Sequence, residues 1–157
     1  NDRPIIGKYG VNDDGSGDKY DKGTAILHMI RTVVNDDEKF RQILRGLNRE
    51  FWHQTVTSKQ VEDFIDSFYA RDLRPFFDQY LRTTQIPRLE WYQRKGLLHY
   101  RFTNVVPGFS LPVMLKNIGC PRWVTDEWKT VHSPGGRVEW EDNFLIKIEN
   151  VSKRSEP

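Results

Sequence analysis

Apolar residues recur every three to four positions in the first half of the chain and nearer every two in the second. The first stripe is Ala25, Ile26, Met29, Ile30 and Val33, which predicts a helix over about 19–34. Phe40, Ile43, Leu44, Leu47 and Phe51 give a second stripe, with Asn35 or Asp36 able to cap its start. Acidic residues in that first turn complement the helix dipole. Thr57 and Gln60 form a capping box ahead of Val61, Phe64, Ile65 and Phe68, the third buried face. Asp72 is the expected cap of a fourth helix, with Pro75 in its first turn and Phe76, Phe77, Tyr80 and Leu81 completing the stripe. Short loops between four such helices predict a bundle or hairpin array. No repeat motif recurs, so a solenoid is not expected.

Ile86-Pro87 marks the change of period. Residues 88–93 and 97–103 alternate as strands around the turn Arg94-Lys95-Gly96. A third strand is expected at 111–115. Residues 128–132 and 137–140 flank Ser133-Pro134-Gly135-Gly136 and predict a second hairpin, and 144–149 reads as a last strand. The fold class is therefore α+β: an N-terminal α-helical bundle over residues 1–84, followed by a small antiparallel β-sandwich over 85–157.

Composition agrees with a packed core. The chain has 157 residues, 37% of them hydrophobic and 13% aromatic. Its 24 basic and 22 acidic side chains leave a net charge of +2, without the basic field that nucleic-acid binding requires. Trp91 and Tyr92 lie among basic residues and could stack bases, but a hairpin with a mixed face accounts for them better. No apolar run approaches the ~20 residues needed to span a bilayer. Cys120 is alone, which rules out an intramolecular disulfide and leaves the compartment open, export included.

Most chemical templates fail. Gly108-Phe109-Ser110-Leu111-Pro112 ends in proline where a nucleophile elbow needs glycine. The loop from Asn12 to Asp18 does not fit an EF-hand, because Gly23 falls where the bidentate glutamate belongs; a solvated, turn-rich loop is expected. Arg41, Arg45 and Arg49 recur four apart, the usual mark of a solvated helix face. His28 has no ligand-type residue at i±4 and is expected to be a packing or hydrogen-bonded histidine, while Cys120 beside Pro121 is expected to be a buried or incidental thiol.

One stretch is different. Tyr20-Asp21-Lys22-Gly23 leads directly into the first apolar stripe, setting a phenol and an ammonium at a helix start where amide groups lack intrahelical acceptors. A phenol there is a neutral donor at pH 7 and could stabilise a developing oxyanion.

Tyr20-Asp21-Lys22-Gly23 with Leu27-His28-Met29-Ile30-Arg31 resembles the Y-x-K-G segment of the aminopeptidase N family of zinc metallopeptidases. The resemblance continues through Asp36 to Leu47, Thr57 to Phe64, Asp72-Leu73-Arg74-Pro75-Phe76-Phe77 to Leu81, Ile86-Pro87, and Phe109-Ser110-Leu111-Pro112-Val113. It implies that the helices are the tail of a thermolysin-like catalytic domain and that a β-sandwich follows. It also implies zinc-dependent removal of N-terminal residues from peptide substrates, with Tyr20 donating to the tetrahedral intermediate. Lys22 is expected to fix the loop. This sequence departs from the family in having no HExxH; His28, His53, His99 and His132 are scattered. The zinc ligands are therefore expected outside this chain, in an upstream zinc-bearing half of the same polypeptide, with no cofactor held by this piece. The rival expectation is a non-catalytic interaction module, in which Tyr20 would be packed and the helical surface polar.

Overall fold

The computed structural model describes residues 2–8, 10–116, 119–133 and 137–152. Four helices lead: α1 (Lys19–Val34), α2 (Asp37–Glu50), α3 (Ser58–Asp66) and α4 (Arg74–Arg82). Six strands follow: β1 (Arg88–Arg94), β2 (Leu97–Thr103), β3 (Leu111–Met114), β4 (Pro121–Val124), β5 (Lys129–His132) and β6 (Lys147–Asn150). The α+β class with helices first and sheets second is the observed one.

Local chemistry accounts for the helix ends. Asn35 closes α1 in the left-handed conformation, φ 49°, with its N–H on Arg31 O. Asp36 caps α2 through Lys39 N at 3.0 Å, and Arg31 grips Asp37 through two hydrogen bonds of 2.7 and 2.8 Å across the turn. The Thr57–Gln60 capping box of α3 is complete in both directions. At α4 the N-cap is Leu73, without a side-chain cap. Asp72 stands one position earlier, yet its carboxylate still accepts from Arg74 N at 2.9 Å.

A four-stranded sheet runs in the order β5-β2-β1-β6, and β3 pairs with β4 in a second, two-stranded sheet. The β1–β2 turn uses Lys95 and Gly96, both with positive φ (51° and 74°), the conformation that a two-residue hairpin needs. All pairs are antiparallel except β1–β6, which is parallel with Leu89 opposite Ile148.

The expected hairpin of 128–132 with 137–140 does not form among the described residues; 134–136, its turn, lie outside them. β5 pairs instead with β2, and Trp140 bridges to Leu115. Packing decides this: Val138 and Trp140 are buried, and the Trp140 ring meets Tyr100 edge-on at 5.8 Å. The last strand starts at Lys147, not 144, because Phe144 turns into the core and its carbonyl accepts from Ile146 N.

One apolar core runs through both halves, from Met29, Ile30 and Phe76 to Leu98, Phe102 and Leu111. Tyr80 and Gln79, both 0% exposed, stitch the junction. Tyr80 Oη donates to Leu145 O at 3.0 Å. Gln79 donates to Gln85 O at 2.8 Å and accepts from Val106 N at 2.7 Å. Every polar atom brought inside by that glutamine finds a partner, as burial demands.

Candidate functional site

The loop ahead of α1 is built around one carboxylate. Asp13 accepts from Lys8 N at 3.2 Å and Gly15 N at 3.0 Å, and Arg3 lies 3.3 Å away. The amide donors, first that of Gly15 and then that of Lys8, hold its carboxyl below the usual value. Gly15 and Ser16 are buried, so the loop is packed at its centre and solvated only at Asn12, Asp14 and Gly17. Ser16 N donates to Pro4 O at 3.0 Å, and Ser16 Oγ accepts from Asp18 N at 3.2 Å. The expectation of a wholly solvated loop is corrected on this point, because the aspartate supplies a fixed acceptor around which the chain folds back.

Asp18 is the N-cap of α1 and makes no side-chain cap. The first-turn amides are not all open: Lys19 N donates to Ser16 O at 3.2 Å and Lys22 N to Asp18 O at 2.8 Å. Tyr20 stands on this turn with 76% of its surface exposed. Its carbonyl accepts from Thr24 Oγ1 at 2.8 Å, and the Lys19 ammonium lies 5.7 Å from its ring centroid, within cation–π range.

Lys22 points the other way and is buried. Its Nζ donates to Thr83 O at 3.0 Å. Burial lowers its pKa from the ordinary lysine value, opposed by the charge of Asp18. Beside it lies a cleft of about 270 Å³ lined by Asp18, Asp21, Lys22, Ala25, Ile86 and Leu145, where α1 meets the β half. A neutral phenol on one side of the turn, and an anchored cation on the other, can donate hydrogen bonds and stabilise negative charge. They cannot by themselves hold a metal.

Other candidates are dispersed. His28, expected to be a packing or hydrogen-bonded histidine, and Cys120, expected to be a buried or incidental thiol, are both exposed. Helical geometry turns His28 away from the Met29–Ile30 stripe, and Cys120 lies at the surface before β4. Arg41, Arg45 and Arg49 are solvated, with Arg41 on Glu38 at 2.8 Å. Ser110 is half-buried. Among the described residues no group of three His, Cys, Asp or Glu side chains converges to hold a metal, so the residues present do not fit a zinc site. Among the described residues no helix is long and apolar enough to cross a membrane.

Two clusters escaped sequence reasoning. The Arg71 guanidinium lies 4.2 Å over the Trp123 ring, which with Tyr69, Pro112 and Pro121 lines a groove of about 410 Å³. On the four-stranded sheet, Tyr92 stacks on His99 at 4.5 Å and meets Trp128 at 5.2 Å. Tyr92 and His99 face each other across the β1–β2 hairpin, but Trp128 and the groove residues come from elements separated in sequence, and no local pattern signals their meeting. No protein-family model and no curated protein matches this chain, so the site is read from its own residues.

Proposed function

We propose that this chain is the C-terminal part of a zinc-dependent aminopeptidase, in which Tyr20 is the oxyanion donor. The observation that carries the reading is the two-sided first turn of α1. Its tyrosine is presented to solvent, while the lysine two residues on is sunk into the protein. A self-contained module has no need to expose that phenol over a turn so firmly anchored.

On this reading the zinc ligands belong to an upstream part of the polypeptide, which supplies the Lewis acid. Tyr20 Oη–H donates to the peptide oxygen as that oxygen gains negative charge. A neutral phenol suits this, since it gives a hydrogen bond without first losing its proton. The interaction strengthens as charge develops and therefore favours the transition state over the bound substrate.

Aminoacyl-anilide hydrolysis by the parent-length enzyme tests the assignment. Tyr20→Phe should lower kcat by about 10²–10³-fold, with zinc content and melting temperature unchanged. A chelator should abolish the parent's activity, and the 157-residue chain alone should have none. Turnover unaffected by Tyr20→Phe sinks the assignment. A parent inactive on a broad aminoacyl panel favours an interaction module instead.

A further inference from the structure

Successive helical residues are rotated by about 100°, so Tyr20 and Lys22 diverge by about 200° around α1. Burial follows that rotation: Tyr20 is 76% exposed and Lys22 5%. The acceptor chosen by Lys22 is specific. Thr83 is the C-cap of α4 and is extended there, so its carbonyl has no donor within the helix. An ammonium placed there supplies one.

A second tie reaches the same helix end. Ile6 N donates to Leu81 O at 3.3 Å, bringing the segment before α1 onto α4. Further along α1, Met29 Sδ accepts from Leu145 N at 3.2 Å and fixes the middle of the helix on the β half. The helix body thus has its own packing, and the Lys22–Thr83 bond acts on the first turn. A buried ammonium costs desolvation that a methionine of similar length would avoid. Packing alone therefore does not account for a lysine at this position.

We propose that Lys22 is a positioning residue for Tyr20: its bond to the Thr83 carbonyl sets the rotation of the first α1 turn and so the direction in which the phenol is presented. The inference rests on the role of Tyr20 given above. Without this tie the first turn keeps its backbone bonds to Ser16 and Asp18, but loses the side-chain bond by which Lys22 fastens it to Thr83. Misplacement by about 1 Å is enough to cost a large factor in rate.

The test is a double-mutant cycle in the parent-length enzyme, with Lys22→Met and Tyr20→Phe made singly and together, and Lys22→Arg as the conservative variant. Lys22→Met should lower kcat by about 10-fold or more with KM and zinc content unchanged. Lys22→Arg, which keeps a cationic donor, should retain most of the rate. In the Tyr20→Phe background Lys22→Met should cost less than about twofold, because the group it positions is already gone. Losses that multiply in full across the cycle overturn the inference and leave Lys22 a purely structural residue. An unaffected Tyr20→Phe overturns the oxyanion assignment, and this inference with it. Should Lys22→Met not fold, Lys22→Gln takes its place in the cycle, and 3-fluorotyrosine at position 20 supplies a readout independent of turnover. Its ¹⁹F resonance should shift or broaden in Lys22→Gln; an unchanged resonance overturns the inference.

Discussion

The first turn of α1 and the seam between α4 and the β half each hold a tyrosine, in opposite surroundings. Tyr80 is 0% exposed, packed on Phe76 at 5.0 Å and Phe109 at 6.0 Å, with its hydroxyl on Leu145 O. Burial drives its pKa far above the ordinary phenol value, so it remains a neutral donor. Tyr20 is 76% exposed, with the Lys19 ammonium over its ring. Exposed aromatic residues are common and by themselves mean nothing. What sets Tyr20 apart is the construction of the turn that carries it: a carboxylate-centred loop and a buried serine before it, and a buried lysine two residues on. Tyr80 is explained by the fold it holds together. Tyr20 stands on the surface of the fold, and on the reading proposed above it is kept for contact with substrate.

The largest separation between the two regions should appear in stability. Tyr80→Ala removes a fully buried ring and leaves the Leu145 carbonyl without its donor. It should cost about 3–5 kcal/mol, enough to unfold much of the chain. Tyr20→Ala should change stability by less than about 0.5 kcal/mol. Urea denaturation followed by tryptophan fluorescence measures both. Similar losses at the two positions would collapse the contrast and make Tyr20 an ordinary packing residue.

Most of the helical half was legible because its determinants are local. The stripe in α1, the Thr57–Gln60 box and the Asn35–Asp36 turn all lie within one or two helical turns of the residues they organise. The β1–β2 hairpin was legible for the same reason, its turn being written in Lys95-Gly96. Strand partners elsewhere were not. β6 joins β1 across the whole β half, and alternation along a strand does not say which edge it will find. β4 opens on a proline, which hides it from strand propensity. Nothing local signals the burial of Gln79, because its partners come from two loops, Gln85 after α4 and Asn104 and Val106 after β2. At the candidate site, Tyr20 and Lys22 were visible as residues. The bond from Lys22 to Thr83 O was not, since it joins positions that only the tertiary fold brings together.

A smaller effect should separate the loop under Tyr20 from the core. Gly15 has φ +71°, and a Cβ there would stand 2.2 Å from the Ile5 carbonyl oxygen. That obstacle is backbone and cannot swing aside as a side chain would. Gly15→Ala should therefore cost about 1–3 kcal/mol, from the left-handed conformation and the clash together. The damage should be local. Hydrogen exchange should show Lys8 and the first turn of α1 losing protection while Leu98 and Phe102 in β2 keep theirs. Uniform loss across both regions would mean that the loop and the core unfold as one unit.

The smallest effect is the acid response of that same loop. The Gly15 and Lys8 amides lower the Asp13 carboxyl from its ordinary value of 3.8. A group whose folded value is depressed binds fewer protons folded than unfolded. Its contribution is complete above the ordinary value and is lost as pH falls through the lowered one. Exchange of the Gly15 amide should thus stay slow relative to its intrinsic rate down to the ordinary carboxylate range, then quicken below it. Asp13→Asn should remove this acid step, because an amide presents one carbonyl oxygen to two N–H donors and does not titrate. The seam around Tyr80, held by a neutral hydroxyl on the Leu145 carbonyl, should hold through the same interval. If Gly15 protection is unchanged across that range in the unsubstituted chain, the aspartate is not what holds the loop, and the support beneath Tyr20 must be sought in Ser16 and Lys22 alone.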